Sequence, residues 1–357
     1  MSDPSIPATP PIIPDVEPSD EPARRPGRPP GRVVAVTGTS ACLGTNLIGL
    51  LEDSERIERV VSLDPVAPPT AGRKTRHFDV DLTRGNPEER IAEILASEKV
   101  DTLVHLAFRG SPSHRPGRVH ELESVGTMHA LNACRRTQVH KVVLWSQTFL
   151  YGARPTNPNF LSESHPLRAD RSDAFFTDKI EAEADALDFG KPGRGRTVTI
   201  LRTAPIVGPT IDNYFTRYLR QPVVPTVMGF DPLWQFLHES DAVAAFKRAI
   251  DLNAPGIYNI SGEGVLPLSK VVRLVSRRRV ALPRPAADLV IGTLWAARAS
   301  AIPAAFLDYL QYVCVADAAR ARRELGFVPM YTSREAVSDF AAAQNLRDVK
   351  LLSENPA

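Results

Sequence analysis

Cysteine is scarce in this chain. Three residues, Cys42, Cys134 and Cys314, lie far apart among 357. An odd, scattered set excludes a disulfide framework and a cysteine zinc site, so no metal is expected and reduced cytoplasmic thiols are. An excess of one charge is missing too. Lys plus Arg total 43 against 41 Asp plus Glu, a net +2, so no overall field draws in nucleic acid or an acidic partner. The beginning of the sequence lacks the apolar core of a secretory signal. No apolar run reaches the roughly 20 residues that cross a bilayer. The most apolar late stretch, 289–297, predicts a packed or partner-facing helix. There is no internal repeat.

What is present divides the chain. Residues 1–31 hold ten of the 32 prolines and few large apolar side chains, which predicts a disordered arm. Its basic end, Arg24, Arg25, Arg28 and Arg32, surrounds a Gly-Arg-Pro core that resembles a minor-groove hook. Short basic runs are usually solvated linkers, so nucleic acid is not an expected partner. From Arg32 the pattern alternates. Strands are expected at 33–37, 60–63, 77–80, 102–106, 141–146 and 198–202, with helical patterns between most of them. That alternation predicts an α/β fold, a doubly wound parallel sheet with helices on both faces. It spans 32–208. A mixed region, 209–345, contributes the last core elements and a smaller substrate lobe, with helices expected at 240–252, 268–277, 317–325 and 333–343. A flexible tail is expected at 346–357.

The densest signal follows the first strand. A β-branched run ends in Gly38-Thr39-Ser40-Ala41-Cys42-Leu43-Gly44 and then an amphipathic stretch from Thr45 to Glu52. A tight turn of small residues into a helix N-terminus makes an anion cradle, because backbone amides face the ligand. Ala41 stands where a middle glycine is expected and still permits close approach. Asp64 ends the second strand, where a carboxylate accepts from the ribose hydroxyls of NAD and repels a 2′-phosphate. Asp81-Leu82 follows the third strand, and His105-Leu106-Ala107 closes the fourth.

Together with Lys141–Ser146, Leu150-Tyr151-Gly152, Val207-Gly208-Pro209, Phe236–Asp241, Gly256–Ile260 and Leu325-Gly326-Phe327, these stretches carry a resemblance. From about Arg32 to Phe340 the chain resembles the extended short-chain dehydrogenases/reductases of the NAD-dependent epimerase/dehydratase family. The resemblance implies a Rossmann fold, NAD as cofactor, and a homodimer. Gly38, Ser40, Ala41, Cys42, Leu43, Gly44, Asp64, Asp81, Leu82, Leu106, Ala107, Ser146 and Lys179 are the expected cofactor contacts.

The resemblance also marks departures. Family chemistry places a tyrosine four residues before a lysine on one helix; here Lys179 stands and Phe175 replaces the tyrosine. The family Ser/Thr position is Gln147, and the helix asparagine is Glu123. Trp234 and Pro205 stand where sugar-nucleotide enzymes carry an arginine and an asparagine, leaving Arg168, Arg217 and Arg220 as replacement charges. Thr148-Phe149 in place of an Asp-Glu pair disfavours a 4,6-dehydratase. Two readings follow. The first is a hydride-transfer enzyme acting on a nucleotide sugar or related alcohol with a relocated acid/base. Its site holds Lys179, Gln147 and Glu163, with Tyr151, Asp178 and His238 as further candidates. The second is a non-catalytic NAD(H)-binding redox sensor or scaffold.

Overall fold

Strands form where aliphatic and β-branched residues run uninterrupted, as strands buried on both faces require. The computed structural model describes residues 31–354 apart from 194 and 301, with backbone alone from 348. First come β1 (Arg32–Thr37), α1 (Cys42–Glu52), β2 (Ile57–Leu63) and β3 (Thr75–Phe78). Next are α2 (Pro87–Ser97), β4 (Thr102–His105), α3 (Pro116–His120), a π-turn over Glu121–Val125, α4 (Gly126–Arg135) and β5 (Lys141–Gln147). Then α5 (Ala174–Phe189), β6 (Thr197–Thr203), β7 (Ile206–Val207), α6 (Tyr214–Arg220), β8 (Val223–Val227), β9 (Leu233–Trp234), β10 (Leu237–His238) and α7 (Glu239–Asp251) follow. The chain finishes with β11 (Gly256–Ile260), β12 (Leu266–Pro267), α8 (Leu268–Leu274), β13 (Arg278–Leu282), α9 (Arg284–Ala296) and α10 (Ser333–Glu354).

Seven strands form one sheet in the order β11-β6-β5-β4-β1-β2-β3. Every neighbouring pair is parallel. Strand order reverses between β1 and β4, and such a switch opens a crevice beyond the carboxyl ends of the strands. On one face α1 and α7 bury Leu47, Ile48, Phe246 and Ile250 against Val34 and Val36. On the other, α2, α4 and α5 bury Ile91, Leu131 and Phe189 against Ala35, Leu103 and Val142. A third core is aromatic and mixes lobe residues such as Tyr214, Phe215, Trp234, Phe306 and Tyr309 with Phe149, just past β5, and Phe175.

Several expectations shift. The third strand lies at Thr75–Phe78, two residues before the expected 77–80, and Val80 instead donates its amide to the Asp64 carbonyl. β11, read only as part of the resemblance, is the seventh strand of the sheet. The expected helix at 317–325 begins two residues later, at Ala319, and its last turn, Ala321–Leu325, is a π-turn that stops at left-handed Gly326. Where a flexible tail was expected from 346, α10 continues to Glu354, with no proline or glycine to end it earlier. Arg32 does not join a free basic arm. Its guanidinium binds the Ile250 and Asp251 carbonyls at the end of α7. Arg24, Arg25 and Arg28 lie outside the described residues. Among the described residues, no helix is long and apolar enough to cross a membrane.

Candidate active site

The turn after β1 is shaped by two glycines. Gly38 has φ +72°, and a Cβ there would sit 2.6 Å from the Leu106 carbonyl oxygen. A Cβ on Gly44 would run into the Gly38 carbonyl, so the first turn of α1 closes on the loop only with glycine. Ala41 at the start of α1 supplies no side-chain cap, and no acidic residue sits in the first turn. The helix N-terminus is therefore left to an anion.

Gly38 and Ala41 line a groove of about 750 Å³ above β1, β2 and β4. Gly38, Ser40, Ala41, Asp64, Asp81, Leu82, Leu106 and Ala107 are all in its wall. Asp64 is 5% exposed and accepts from the Ser40 amide at 3.2 Å and the Val66 amide at 3.0 Å. Both bonds fix the carboxylate beside the cradle. Burial works to raise Asp81, but the Thr83 hydroxyl and amide, with Arg84 and Arg118 nearby, outweigh it and hold the carboxyl below its ordinary value. Arg109 and Arg118 also border an adjoining cavity of about 350 Å³ with Arg115 and Arg298, so this end of the groove is positive.

A smaller cavity of about 100 Å³ continues from the cradle toward β5 and β6. Cys42, Leu43, Gly44, Phe108, Trp145, Gln147, Phe149, Pro205 and Tyr214 are among its walls. Most of its polar groups are already committed. Trp145 Nε1 donates to Thr203 Oγ1 at 2.9 Å. Asp212 accepts from Arg217 and Arg220, and the Arg217 bond chiefly holds it below the carboxylate range. Cys42 lies 2.9 Å from Thr210 Oγ1, and burial pushes its thiol up, away from a thiolate. Gln147 differs. It is 9% exposed, and among the described residues its buried Oε1 has no hydrogen-bond partner.

Other expected residues are placed elsewhere. Lys179 lines neither cavity. Its ammonium is 2.6 Å from Glu123 Oε2 and 3.8 Å from the centre of the Phe175 ring. Burial pushes Lys179 down and Glu123 up, and the two groups offset this by pairing. The π-turn carries Glu123 inward, where its other oxygen accepts from the Arg109 amide at 2.7 Å. Phe175 is buried against Phe176, Tyr214 and Phe306. Ser146 turns away from the groove and bonds Glu183, which pairs with Arg202 at 2.6 Å.

Glu163 does not border either cavity: its carboxylate accepts from the Asn259 amide at 3.0 Å, pinning β11. Tyr151 is buried between Asn259 and Arg202. His238 caps α7 and meets Asp339. Asp178 meets His120 at 2.8 Å. Arg168 is exposed, and Trp234 is stacked on Phe215.

Sequence reasoning missed Tyr214. It lines the smaller cavity, and its ring centre is 5.8 Å from that of Phe175. Burial holds its phenol well above the usual range, so it stays protonated. Its distance along the chain from Phe175 hid it, since only the lobe's packing brings the two together.

The model of the "NAD dependent epimerase/dehydratase family" matches residues 34–261. A Mycobacterium tuberculosis protein titled "Uncharacterized protein Rv0501" is 33% identical over 323 residues, 89% of this chain and 85% of that one. A Streptomyces protein, the 3-diazoavenalumate denitrifying reductase, is 24% identical over 311 residues, 84% of this chain and 97% of the other. Among solved structures, MoeE5 in complex with UDP-glucuronic acid and NAD superimposes with TM-score 0.69 at 22% identity, over 89% of this chain and all of that one.

Proposed function

The chain belongs to the NAD-dependent epimerase/dehydratase family, and from that premise we propose that it transfers hydride between NAD(H), held in the large groove, and a substrate whose reacting end enters the smaller cavity. The cofactor supplies reversible hydride transfer when bound. The residues present fit it. Uncapped α1 and the two glycines leave room for a pyrophosphate, and Asp64 stands ready for ribose hydroxyls. The single observation that carries the proposal is that cradle and carboxylate line one groove.

The substrate we assign is a nucleotide sugar or a related alcohol or carbonyl compound. MoeE5, whose structure carries UDP-glucuronic acid, supports the first of these by its likeness of fold. With Phe175 unable to move a proton, we assign proton donation to Tyr214 and substrate orientation to Gln147, whose free Oε1 accepts from a substrate N–H or O–H. A protonated phenol suits the reductive direction, in which a carbonyl gains hydride and a proton. A homodimer and a cytoplasmic location belong to the same proposal. The three free thiols support the location, and light scattering of the purified chain tests the dimer.

Calorimetry with NADH is the direct test of cofactor binding. NADH consumption across a panel of nucleotide sugars, ketones and aldehydes then tests turnover. Tyr214→Phe is expected to lower kcat by about 10²–10⁴-fold with NADH affinity unchanged. Heat with NADH but no turnover of any panel member would favour a sensor, the reading that the Lys179–Glu123 pair supports. No heat with NADH would overturn both.

A further inference from the structure

One cluster of ligating side chains lies outside the grooves. His120 closes α3, while Asp178 and Glu181 sit on α5. One donor atom from each residue falls within 4.8 Å of the others. Asp178 is the unusual member. Its side chain is 3% exposed, and His120 Nδ1 meets its Oδ1 at 2.8 Å. Its Oδ2 is buried and has no hydrogen-bond partner among the described residues. Buried carboxylate oxygens are nearly always bonded, so an orphaned one asks what else it binds. It belongs to the carboxylate that already faces His120. The other two ligands are reachable, with His120 49% exposed and Glu181 exposed.

We propose that His120, Asp178 and Glu181 form a binding site for a divalent cation of the zinc type. An imidazole with two carboxylates is a donor set of borderline hardness that suits Zn²⁺, with water completing the shell. Asp178 supplies a buried carboxylate oxygen, and His120 and Glu181 are the exposed members of the set. Bonds of about 2.0–2.2 Å in a tetrahedral shell put neighbouring ligand atoms about 3.4 Å apart, so donor atoms that now lie within 4.8 Å of one another close by about 1.4 Å at most. Glu181 makes that movement by releasing its 2.8 Å bond from Ser124. The scarcity of cysteine argues only against thiolate sites and leaves this one open.

The site has a structural consequence. It clamps α3 to α5 on either side of the π-turn that carries Glu123, and Asp178 adjoins Lys179 in sequence. A bound cation therefore fixes the wall that holds the Lys179–Glu123 pair without touching the grooves.

The experiment is a calorimetric titration of ZnCl₂ into the chelator-treated full chain, followed by Co²⁺ with its visible absorption as a report of ligand geometry. The expected result is one ion per chain at micromolar affinity or tighter. His120→Ala and Glu181→Gln, both surface changes, are each expected to weaken it by about tenfold or more. Asp64→Ala leaves it unchanged, which separates it from the fate of the NAD(H) proposal. The absence of saturable binding in the wild type, or equal affinity in wild type and both variants, overturns it.

Discussion

Asp64 carries the most weight among single residues, because it braces the cradle through the Ser40 amide and, in the proposed function, receives the ribose of the cofactor. A hydrogen bond to a charged group is worth about 1.5–3 kcal/mol. Asp64→Ala is therefore expected to weaken NADH roughly ten- to a hundredfold, measured by calorimetry; an unchanged affinity would remove Asp64 from the site. Lys179 and Glu123 make a different kind of statement. They are nearly unexposed, and each is stabilised by the other. Breaking a buried pair from one side costs about 3–5 kcal/mol, whereas replacing both with apolar groups is often neutral. Glu123→Leu alone should lower the denaturation midpoint sharply, and Glu123→Leu with Lys179→Met should recover most of it. If the double variant stays as weak as the single, the pair is not the unit supposed here.

At the scale of elements, the sheet was readable and the π-turn was not. β1, β2, β4, β5 and β6 each show through a short aliphatic or β-branched stretch at their centre because both faces are covered, and the cradle shows because a tight anion turn admits few residues. The π-turn leaves no such trace. Nothing in Glu121–Val125 announces that Glu123 points inward to Lys179, so the lysine was expected at the cofactor. The tie of Glu163 is hidden for a similar reason: its partner, the Asn259 amide, belongs to a strand 96 residues away.

His105 shows what one strand end does for stability. It bridges Thr37 Oγ1 at 2.8 Å and Thr127 Oγ1 at 2.9 Å, joining β1, β4 and α4. Burial pushes its pKa from the usual 6.5 down to about 3. The unfolded chain therefore takes up a proton below 6.5 that the folded one refuses. This contribution is intact above 6.5 and is lost between 6.5 and 3 as pH falls. Urea denaturation across that window should show the wild type losing about 1.4 kcal/mol per pH unit more than His105→Gln. Parallel curves would mean that His105 titrates normally.

For the whole molecule, the question is whether the sheet and the lobe respond as one. The large groove draws its walls from both: Gly38, Asp64 and Asp81 from the sheet side, and Asp212 and Arg217 from the stretch leading into and along α6. Asp212 also ties Arg217 and Arg220 together at 2.6 and 2.8 Å, so a ligand touching this corner meets a braced unit. Behind it, Tyr214 and Phe215 pack into the aromatic core with Trp234 and Phe306. A ligand that binds only the folded state at a hundred times its Kd adds about 2.7 kcal/mol of stability. Because the groove spans both regions, that gain should not stay with the residues of the cradle. Hydrogen exchange with saturating NADH is expected to slow at the amides of α1 and also in α6 and its preceding loop. Asp64→Ala should lose both effects together. Protection confined to 38–82 would mean that the lobe is a bystander to the dinucleotide, and that the smaller cavity between them is not where the substrate meets it.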